Sequence, residues 1–182
     1  MKVVVSGTHA SGKSVLVAAL AEALDGVEVL PDPYEVLGED LGDEPDAGGF
    51  FEQLVLAADR LSDPAPDHVV LAERGPLDLL AYLEALDVLG RPGRDGGLAE
   101  RGRSIAVATA SSIDLLLLLD PDDVVEPDDE DPPLRRAVAG ALLDLADDPD
   151  LVGDALVVEL AGDPQSRLRQ ALAALAIVQR GS

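Results

Sequence analysis

Residues 7–14, GTHASGKS, have the types and the spacing of a phosphate-binding loop. They match the pattern G-x-x-x-x-G-K-[ST], in which glycines let successive backbone N–H groups converge on phosphate oxygens. The Lys13 ammonium would reach the β- and γ-phosphates of a nucleotide, and the Ser14 hydroxyl would ligate Mg²⁺. The motif leaves position 9 free, which favours a surface position for His9 over a catalytic one. The expected nucleotide-binding residues are Gly7, Thr8, His9, Ala10, Ser11, Gly12, Lys13, Ser14 and Val15.

Residue types that the chain lacks narrow the chemistry further. It contains no asparagine, so it cannot carry the Asn-Lys-x-Asp element by which GTPases read guanine, nor the catalytic-loop asparagine of protein kinases. We therefore expect ATP, with Mg²⁺, to be the phosphoryl donor. The chain also has no cysteine, which excludes disulfides and cysteine nucleophiles. With only two histidines, it lacks the residues that zinc sites and Ser-His-Asp catalysis require.

Polar residues that follow two predicted strands could complete a phosphotransfer site. Glu73 and Arg74 end an apolar strand, where the carboxylate could hold Mg²⁺ and the guanidinium could clamp a phosphoryl oxygen. The alternative is an ordinary ion pair at the strand end. Asp32 is the first choice for the base that takes the acceptor's proton, and Glu35 is the second. Residues 32–46 are rich in acidic side chains, so both carboxylates could equally lie in a solvated loop.

Further charged residues lie in the second half of the chain. Asp120 ends a strand of five leucines and competes with Glu73 as the carboxylate for Mg²⁺. Residues 121–136 occupy the place of a mobile lid in P-loop kinases. Arg135 and Arg136 could close over the transferring phosphoryl group there, or both could be exposed helix arginines. A second group of arginines surrounds a glycine-rich turn and has no definite place: Arg91, Arg94, Arg101 and Arg103.

The few aromatic residues bear on the nature of the acceptor. They are Tyr34, Phe50, Phe51 and Tyr82, and three of them flank the predicted acceptor cleft. Stacking on a ring-containing substrate such as a nucleoside is one interpretation, and packing of the two phenylalanines in the core is the favoured one. Gln53 could hydrogen-bond a base or an amide, although a solvent-facing glutamine is the commoner case.

Strand and helix patterns alternate along the chain and must bring these residues together. Short β-branched or apolar runs predict five strands, at 2–6, 27–30, 68–72, 114–119 and 155–160. Helical spacing of apolar residues predicts helices at 13–24, 50–61, 76–89, 98–110, 134–145 and 164–178. This alternation indicates an α/β fold with a doubly wound, five-stranded parallel sheet. We expect one domain over residues 1–182, with the lid at about 121–136.

The charge and the hydropathy of the chain limit its partners. The formal charge is -23, from 36 acidic and 13 basic residues, and would repel the phosphates of nucleic acid. The sequence shows neither a signal-peptide pattern nor an apolar run of membrane-spanning length. We therefore expect a cytoplasmic protein that binds a small molecule and binds neither nucleic acid nor membranes. The sequence is also compatible with a homodimer.

Four segments together resemble the P-loop kinases of the nicotinamide riboside kinase-like group of ATPases, which contains the kinase domain of the bacterial bifunctional NAD regulator. The segments are GTHASGKS, ERGPLDLLAYLEAL, LLLLLDPDDVVEPDDEDPPLR and VVELAGDPQSRL. Deoxynucleoside kinases are similar too, because they carry Glu-Pro after strand two and Glu-Arg after strand three. The corresponding residues here are Asp32-Pro33 and Glu73-Arg74.

This resemblance implies a P-loop NTPase fold of the nucleoside and nucleotide kinase type. It also implies a base role for Asp32, a magnesium and phosphate role for Glu73 and Arg74, a lid role for Arg135, and a loop near adenine at 162–164. Aspartate in place of glutamate at position 32, and an acidic lid segment, set the chain apart from the deoxynucleoside kinases.

The sequence thus favours an ATP-dependent kinase that phosphorylates a hydroxyl of a nucleoside-like metabolite. The expected catalytic residues are Lys13, Asp32, Arg74 and Arg135, and the expected metal-binding residues are Ser14, Glu73 and Asp120. One alternative is a nucleotide kinase, whose acceptor bears its own phosphate and which would need the arginines of 91–103 at the cleft. The other is a regulatory module that binds or hydrolyses ATP without a small-molecule acceptor.

Overall fold

Strands and helices alternate in the computed structural model, which describes residues 1–38, 46–64, 67–91, 96–119 and 131–181. The strands are β1 (Lys2–Ser6), β2 (Glu28–Leu30), β3 (Val70–Glu73), β4 (Leu115–Leu119) and β5 (Leu156–Leu160). The helices are α1 (Lys13–Ala23), α2 (Pro33–Leu37), α3 (Ala47–Ser62), α4 (Pro76–Val88), α5 (Leu98–Ala110), α6 (Pro132–Ala146), α7 (Pro149–Val152) and α8 (Pro164–Gly181). In this part of the chain, no helix is both long and apolar enough to cross a membrane.

The strands form one parallel sheet in the order β2-β3-β1-β4-β5. The central strand β1 pairs with β3 on one side and with β4 on the other, and all three are fully buried. This burial explains their continuous apolar runs, because a parallel sheet covered on both faces has no polar face. The predicted five-stranded, doubly wound α/β fold is confirmed.

Alternate residues of β1 and β4 serve two hydrophobic cores, one on each face of the sheet. In β1, Val4 points into the core beneath α3, α4 and α6, whereas Val3 and Val5 point into the core beneath α1 and α8. This alternation follows from the two-residue period of a strand. The phosphate loop therefore leaves the middle of the sheet, between the two layers of helices.

Several helices begin at an Asp-Pro pair. Asp32, Asp131 and Asp148 each accept a hydrogen bond from a backbone N–H in the first turn of α2, α6 and α7, and the proline that follows each is the first helical residue. The very short helices α2 and α7 lie where no helix was predicted. No helix was predicted between residues 24 and 50, whereas α2 lies there and α3 already begins at Ala47.

The predicted lid falls largely outside the described residues. Asp120 and positions 121–130 belong to the part of the chain that the structure leaves undescribed, so their roles stay predictions. Positions 132–136 form the first turn of α6. Within the predicted lid, the described residues are therefore mostly helical.

Candidate functional site

The phosphate loop connects β1 to α1 at the carboxyl edge of the sheet. A Cβ atom at Gly7 would lie only 2.6 Å from the Ser11 hydroxyl oxygen, so a side chain there would force that hydroxyl to move. Gly12 precedes α1 with a left-handed φ of 91°, and Ala10 also has a positive φ, of 56°. The loop thus turns back on itself over the N-terminus of α1, whose N–H groups and dipole favour an anion.

Two hydroxyls of the loop fit a ligand that carries phosphate. The side chains of Thr8 and Ser11 are each 1% exposed, and neither hydroxyl has a hydrogen-bond partner among the residues described. A buried polar group without a partner costs about 1–3 kcal/mol and is rare in native proteins. Phosphate oxygens would supply acceptors for such donors. His9, Ala10 and Val15 are exposed.

The Lys13 side chain is buried and contacts its own loop. It is 4% exposed, and its Nζ donates a hydrogen bond of 2.7 Å to the Thr8 carbonyl oxygen. Burial, together with the charge of Arg74, lowers the pKa of Lys13 to about 8, against the opposing charges of three carboxylates, first among them Asp78. A phosphate group beside this ammonium would favour its charged form.

The Ser14 hydroxyl donates a hydrogen bond of 2.6 Å to Oε1 of Glu73. They meet because β3 pairs with β1 in a register that sets Glu73 opposite Val5, next to the loop. Burial raises the pKa of Glu73, while the hydrogen bond from Ser14 and the charge of Lys13 lower it. A hydroxyl and a carboxylate are hard oxygen ligands, and Mg²⁺ at phosphate sites commonly takes one or two protein ligands plus the phosphates. The pair therefore fits Mg²⁺.

Asp32 and Arg74 form an ion pair at the ends of β2 and β3. The Arg74 Nε lies 3.0 Å from Oδ2 of Asp32, and the two side chains are 8% and 14% exposed. Asp32 also accepts a hydrogen bond of 3.0 Å from the Tyr34 N–H, which fixes it at the start of α2. Arg74 has a left-handed φ of 63°, a conformation that costs a non-glycine residue on the order of 1–3 kcal/mol. Glu35, by contrast, is exposed.

A small cavity adjoins this ion pair. Its lining includes Arg60, Glu73 and Arg74. The Arg60 Nη1 donates a hydrogen bond of 3.0 Å to the Pro31 carbonyl oxygen, which holds its guanidinium near the end of β2. Two guanidinium groups and one carboxylate therefore meet at this point of the sheet edge.

Two of the four aromatic residues stack on each other, and arginines lie over two of the rings. Phe50 and Tyr82 are stacked, with ring centroids 4.4 Å apart and an interplanar angle of 17°, and both are buried. The Arg74 guanidinium carbon is 5.2 Å from the centre of the Tyr82 ring, and that of Arg101 is 4.6 Å from the centre of the Phe51 ring. The Phe50–Tyr82 stack agrees with the core-packing interpretation for Phe50. Its Tyr82 ring also contacts the Arg74 guanidinium.

Gln53 is a polar residue on the buried face of α3. It is 0% exposed, so the solvent-facing position considered the commoner case is wrong. Both its Oε1 and its Nε2 lack a hydrogen-bond partner within the described ranges. Phe50, which stacks on Tyr82, and Ala57, which lines the cavity, are each one helical turn away on the same face. The amide is thus enclosed on the face of α3 that also carries the cavity-lining Ala57, with a donor and an acceptor unused within the described ranges.

Asp78, on α4, is a site residue that the sequence reasoning missed. It is 1% exposed and accepts hydrogen bonds from the Ser6 hydroxyl, the Gly7 N–H and the Gly75 N–H. Burial raises its pKa, while the bonds from Ser6 and Gly7 and the charges of Lys13 and Arg74 lower it. One signal was available: it is the only charged residue in the segment PLDLLAYL.

Arg167, on α8, was missed as well. It is 7% exposed, and its Nη1 donates a hydrogen bond of 2.8 Å to the Ser11 carbonyl oxygen in the phosphate loop. Its helix begins next to the 162–164 segment that the resemblance places near adenine. No local pattern distinguishes it from Arg169, which is exposed on the same helix.

The other predicted arginines differ in their surroundings. Arg135 is 7% exposed on α6, which contradicts an exposed helix position, whereas Arg136 is exposed. The Arg91 guanidinium pairs with Asp131 at the start of α6, and that of Arg103 pairs with carboxylates of α4 and of the α6–α7 connection. Arg94 lies outside the described residues. Arg91 and Arg103 are thus engaged in ion pairs of their own.

A comparison with family models gives one match, to a family described as AAA domain, over residues 2–148. That span contains the phosphate loop, the Asp32–Arg74 pair, Gln53 and Asp78. No curated protein matches the chain in sequence.

Several solved structures share the fold. Thymidylate kinase from Candida albicans has a TM-score of 0.67 at 13% identity, over 100% of this chain and 93% of its own. Deoxyadenosine kinase from M. mycoides has a TM-score of 0.66 at 12% identity, over 98% of this chain and 100% of its own. The NadR protein in complex with NR has a TM-score of 0.68 at 18% identity, over 97% of this chain and 51% of its own. At these identities the likeness establishes the fold.

Proposed function

We propose that this chain, which belongs to the AAA domain family, is an ATP-dependent kinase that transfers a phosphoryl group to a hydroxyl of a nucleoside-like metabolite. The observation that carries this proposal is the meeting of two polar pairs at one sheet edge. Ser14 contacts Glu73 on the nucleotide side, and Asp32 contacts Arg74 on the side of the cavity.

The nucleotide half of the site would be built from the loop and the Ser14–Glu73 pair. Backbone N–H groups of residues 7–15 and the Lys13 ammonium would bind the phosphates. Ser14 and Glu73 would hold Mg²⁺, which supplies charge neutralisation when bound. Asp120 and Arg135 remain proposed for metal binding and for catalysis. The buried hydroxyls of the loop support this half, because a phosphate would satisfy them.

The acceptor half would lie at the sheet edge beside Asp32 and Arg74, next to the small cavity. Asp32 would orient the acceptor hydroxyl and take its proton, and Arg74 would stabilise charge on the transferring group. The ion pair keeps the Asp32 carboxylate directed toward Arg74. Gln53 offers one donor and one acceptor, which match the edge of a base or a carboxamide. Two of the fold relatives are named for a nucleotide and a nucleoside, thymidylate and deoxyadenosine, and the third was crystallised in complex with NR.

The test is a direct assay of phosphoryl transfer. The purified chain is incubated with Mg²⁺-ATP and, one at a time, with ribonucleosides, deoxynucleosides, nicotinamide riboside and the corresponding monophosphates, and products are identified by mass spectrometry. We expect a phosphorylated nucleoside together with ADP. Failure of every compound, with no acceptor raising the melting temperature in the presence of AMP-PNP, would exclude a nucleoside-like acceptor.

Two matched variants make the assay specific. Asp32→Asn should lower the turnover number by about 10²- to 10⁴-fold, the usual contribution of a general base, while AMP-PNP binding persists. Glu35→Gln removes the exposed carboxylate three positions away and should leave turnover unchanged. Equal loss in both variants would remove the base role from Asp32.

A nucleotide kinase is the second candidate, and one observation favours it. Arg60 and Arg74 both line the cavity, and two guanidinium groups could bind an acceptor's phosphate. Arg91 and Arg103, which this alternative was expected to need, are occupied by ion pairs. Preferential phosphorylation of monophosphates, abolished by Arg60→Ala, would select this candidate.

A further inference from the structure

One buried carboxylate joins the two loops that form the site. Asp78 accepts hydrogen bonds from Ser6 and Gly7 at the end of β1 and from Gly75 after β3, the two N–H bonds measuring 2.9 and 3.1 Å. The bond from Gly75 is ordinary capping, because a residue at the third helical position often binds the N-cap N–H. The bonds from Ser6 and Gly7 span 72 and 71 residues and have no role in capping.

The two loops carry the two Mg²⁺ ligand candidates. Gly7 begins the loop that ends at Ser14, and Gly75 directly follows Glu73 and Arg74. The Ser14–Glu73 contact of 2.6 Å therefore depends on how these loops are spaced. Gly75 packs closely on β1, because a Cβ there would lie 2.8 Å from a methyl group of Val4. Asp78 is the side chain that bonds to the backbone of both loops.

We propose that Asp78 is a positioning residue that fixes the spacing between the phosphate loop and Glu73, and thereby the Mg²⁺-dependent part of nucleotide affinity. This inference rests on the proposed nucleotide site and is independent of the acceptor.

The geometry requires a carboxylate, with one oxygen for each loop. Oδ1 accepts from Gly7, and Oδ2 accepts from Ser6 and Gly75. Asparagine has only one acceptor oxygen, so its NH₂ group must face either the Gly7 N–H or the Gly75 N–H. Whichever way the amide is turned, one backbone donor loses its partner and one loop moves relative to the other.

The test measures AMP-PNP binding by calorimetry in Mg²⁺ and in EDTA, so the acceptor plays no part. In the wild type we expect Mg²⁺ to strengthen binding. In Asp78→Asn the ratio of the affinities with and without Mg²⁺ should fall roughly tenfold to hundredfold, the scale of loss from misplacement by about 1 Å. Ser6→Ala keeps both backbone bonds and should keep the wild-type ratio, which makes it the matched control.

Several results would overturn the inference. They are an unchanged ratio in Asp78→Asn, an equal fall of the ratio in Ser6→Ala, or a wild type whose affinity does not respond to Mg²⁺. A merely structural role would lower the melting temperature and leave the ratio unchanged. If Asp78→Asn does not fold, Asp78→Glu keeps both oxygens, displaces them by one methylene, and should lower the ratio likewise. A wild type that shows the Mg²⁺ effect but phosphorylates nothing would refute the proposed function and leave the role of Asp78 standing.

Discussion

Replacement of Gln53 by methionine should stabilise the protein and impair acceptor binding at the same time. The Gln53 amide is fully buried, and in the described part of the chain neither of its polar atoms has a hydrogen-bond partner. Methionine has nearly the same length and volume, so the substitution removes the polar atoms without opening a large cavity. Folding would no longer bury an unsatisfied donor and acceptor.

The size of the effect follows from that cost. A buried polar group without a partner costs about 1–3 kcal/mol, so we expect the free energy of unfolding to rise by about 2 kcal/mol. For 182 residues, an unfolding entropy of about 2.1 cal/mol/K per residue converts this into a rise of about 5 °C in Tm. If the amide also reads the acceptor, the acceptor KM should rise about tenfold to hundredfold while the KM for ATP stays constant.

Calorimetric unfolding of two matched variants tests this reasoning. Gln170 lies on α8, where its side chain donates to the Ala161 carbonyl oxygen at 2.9 Å and accepts from the Ala161 N–H at 3.4 Å. Gln170→Met therefore loses partners and should not raise Tm, whereas Gln53→Met should. A Tm of Gln53→Met below that of the wild type would refute the reasoning, because the amide would then be serving the fold.

Two further predictions concern charged groups around the phosphate loop. Arg167→Ala should weaken AMP-PNP binding about tenfold or more, because it removes the buried charged donor that bonds to the Ser11 carbonyl oxygen. Arg169→Ala, on the exposed face of the same helix, should leave the affinity unchanged. Equal affinities of the two variants in calorimetry would contradict this prediction. The stability of the wild type relative to Asp78→Asn should fall as pH rises above about 4, with a limiting slope of about 1.4 kcal/mol per pH unit. The reason is that burial raises the folded-state pKa of Asp78 above its unfolded value, despite opposing bonds from Ser6 and Gly7 and the charges of Lys13 and Arg74. Urea unfolding of both proteins between pH 4.5 and 8 measures this difference, and a constant difference argues against it.

Local sequence patterns were sufficient to predict the sheet and most helices. The β-branched and leucine-rich runs identify strands because β1 and β4 are buried on both faces. Helices α2 and α7 were missed because five and four residues are too few to show a helical period. The Asp-Pro pair at the start of each helix was an available signal of a helix N-terminus. At 32–33 that pair was interpreted only as part of a catalytic motif.

The site was predictable where its residues are neighbours in sequence. The phosphate loop is one continuous motif, and Glu73 and Arg74 end a recognisable strand. Asp78 and Arg167 contact that loop from 71 and 156 residues away, and no spacing rule reports such contacts. Gln53 shares a helical face with Phe50 and Ala57, so a polar residue on an apolar stripe was a readable but unused signal.

The bond from Arg167 to the loop also bears on how the protein matures during synthesis. The loop precedes α8 in the sequence and is held by it across 156 residues, so the loop leaves the ribosome well before the helix that holds it. Strand β1, from which the loop departs, likewise waits for both β3 and β4 before it is paired. A nascent chain that stops short of α8 would carry the complete motif with a loosely held loop, so nucleotide should bind the growing polypeptide only weakly until α8 has been synthesised.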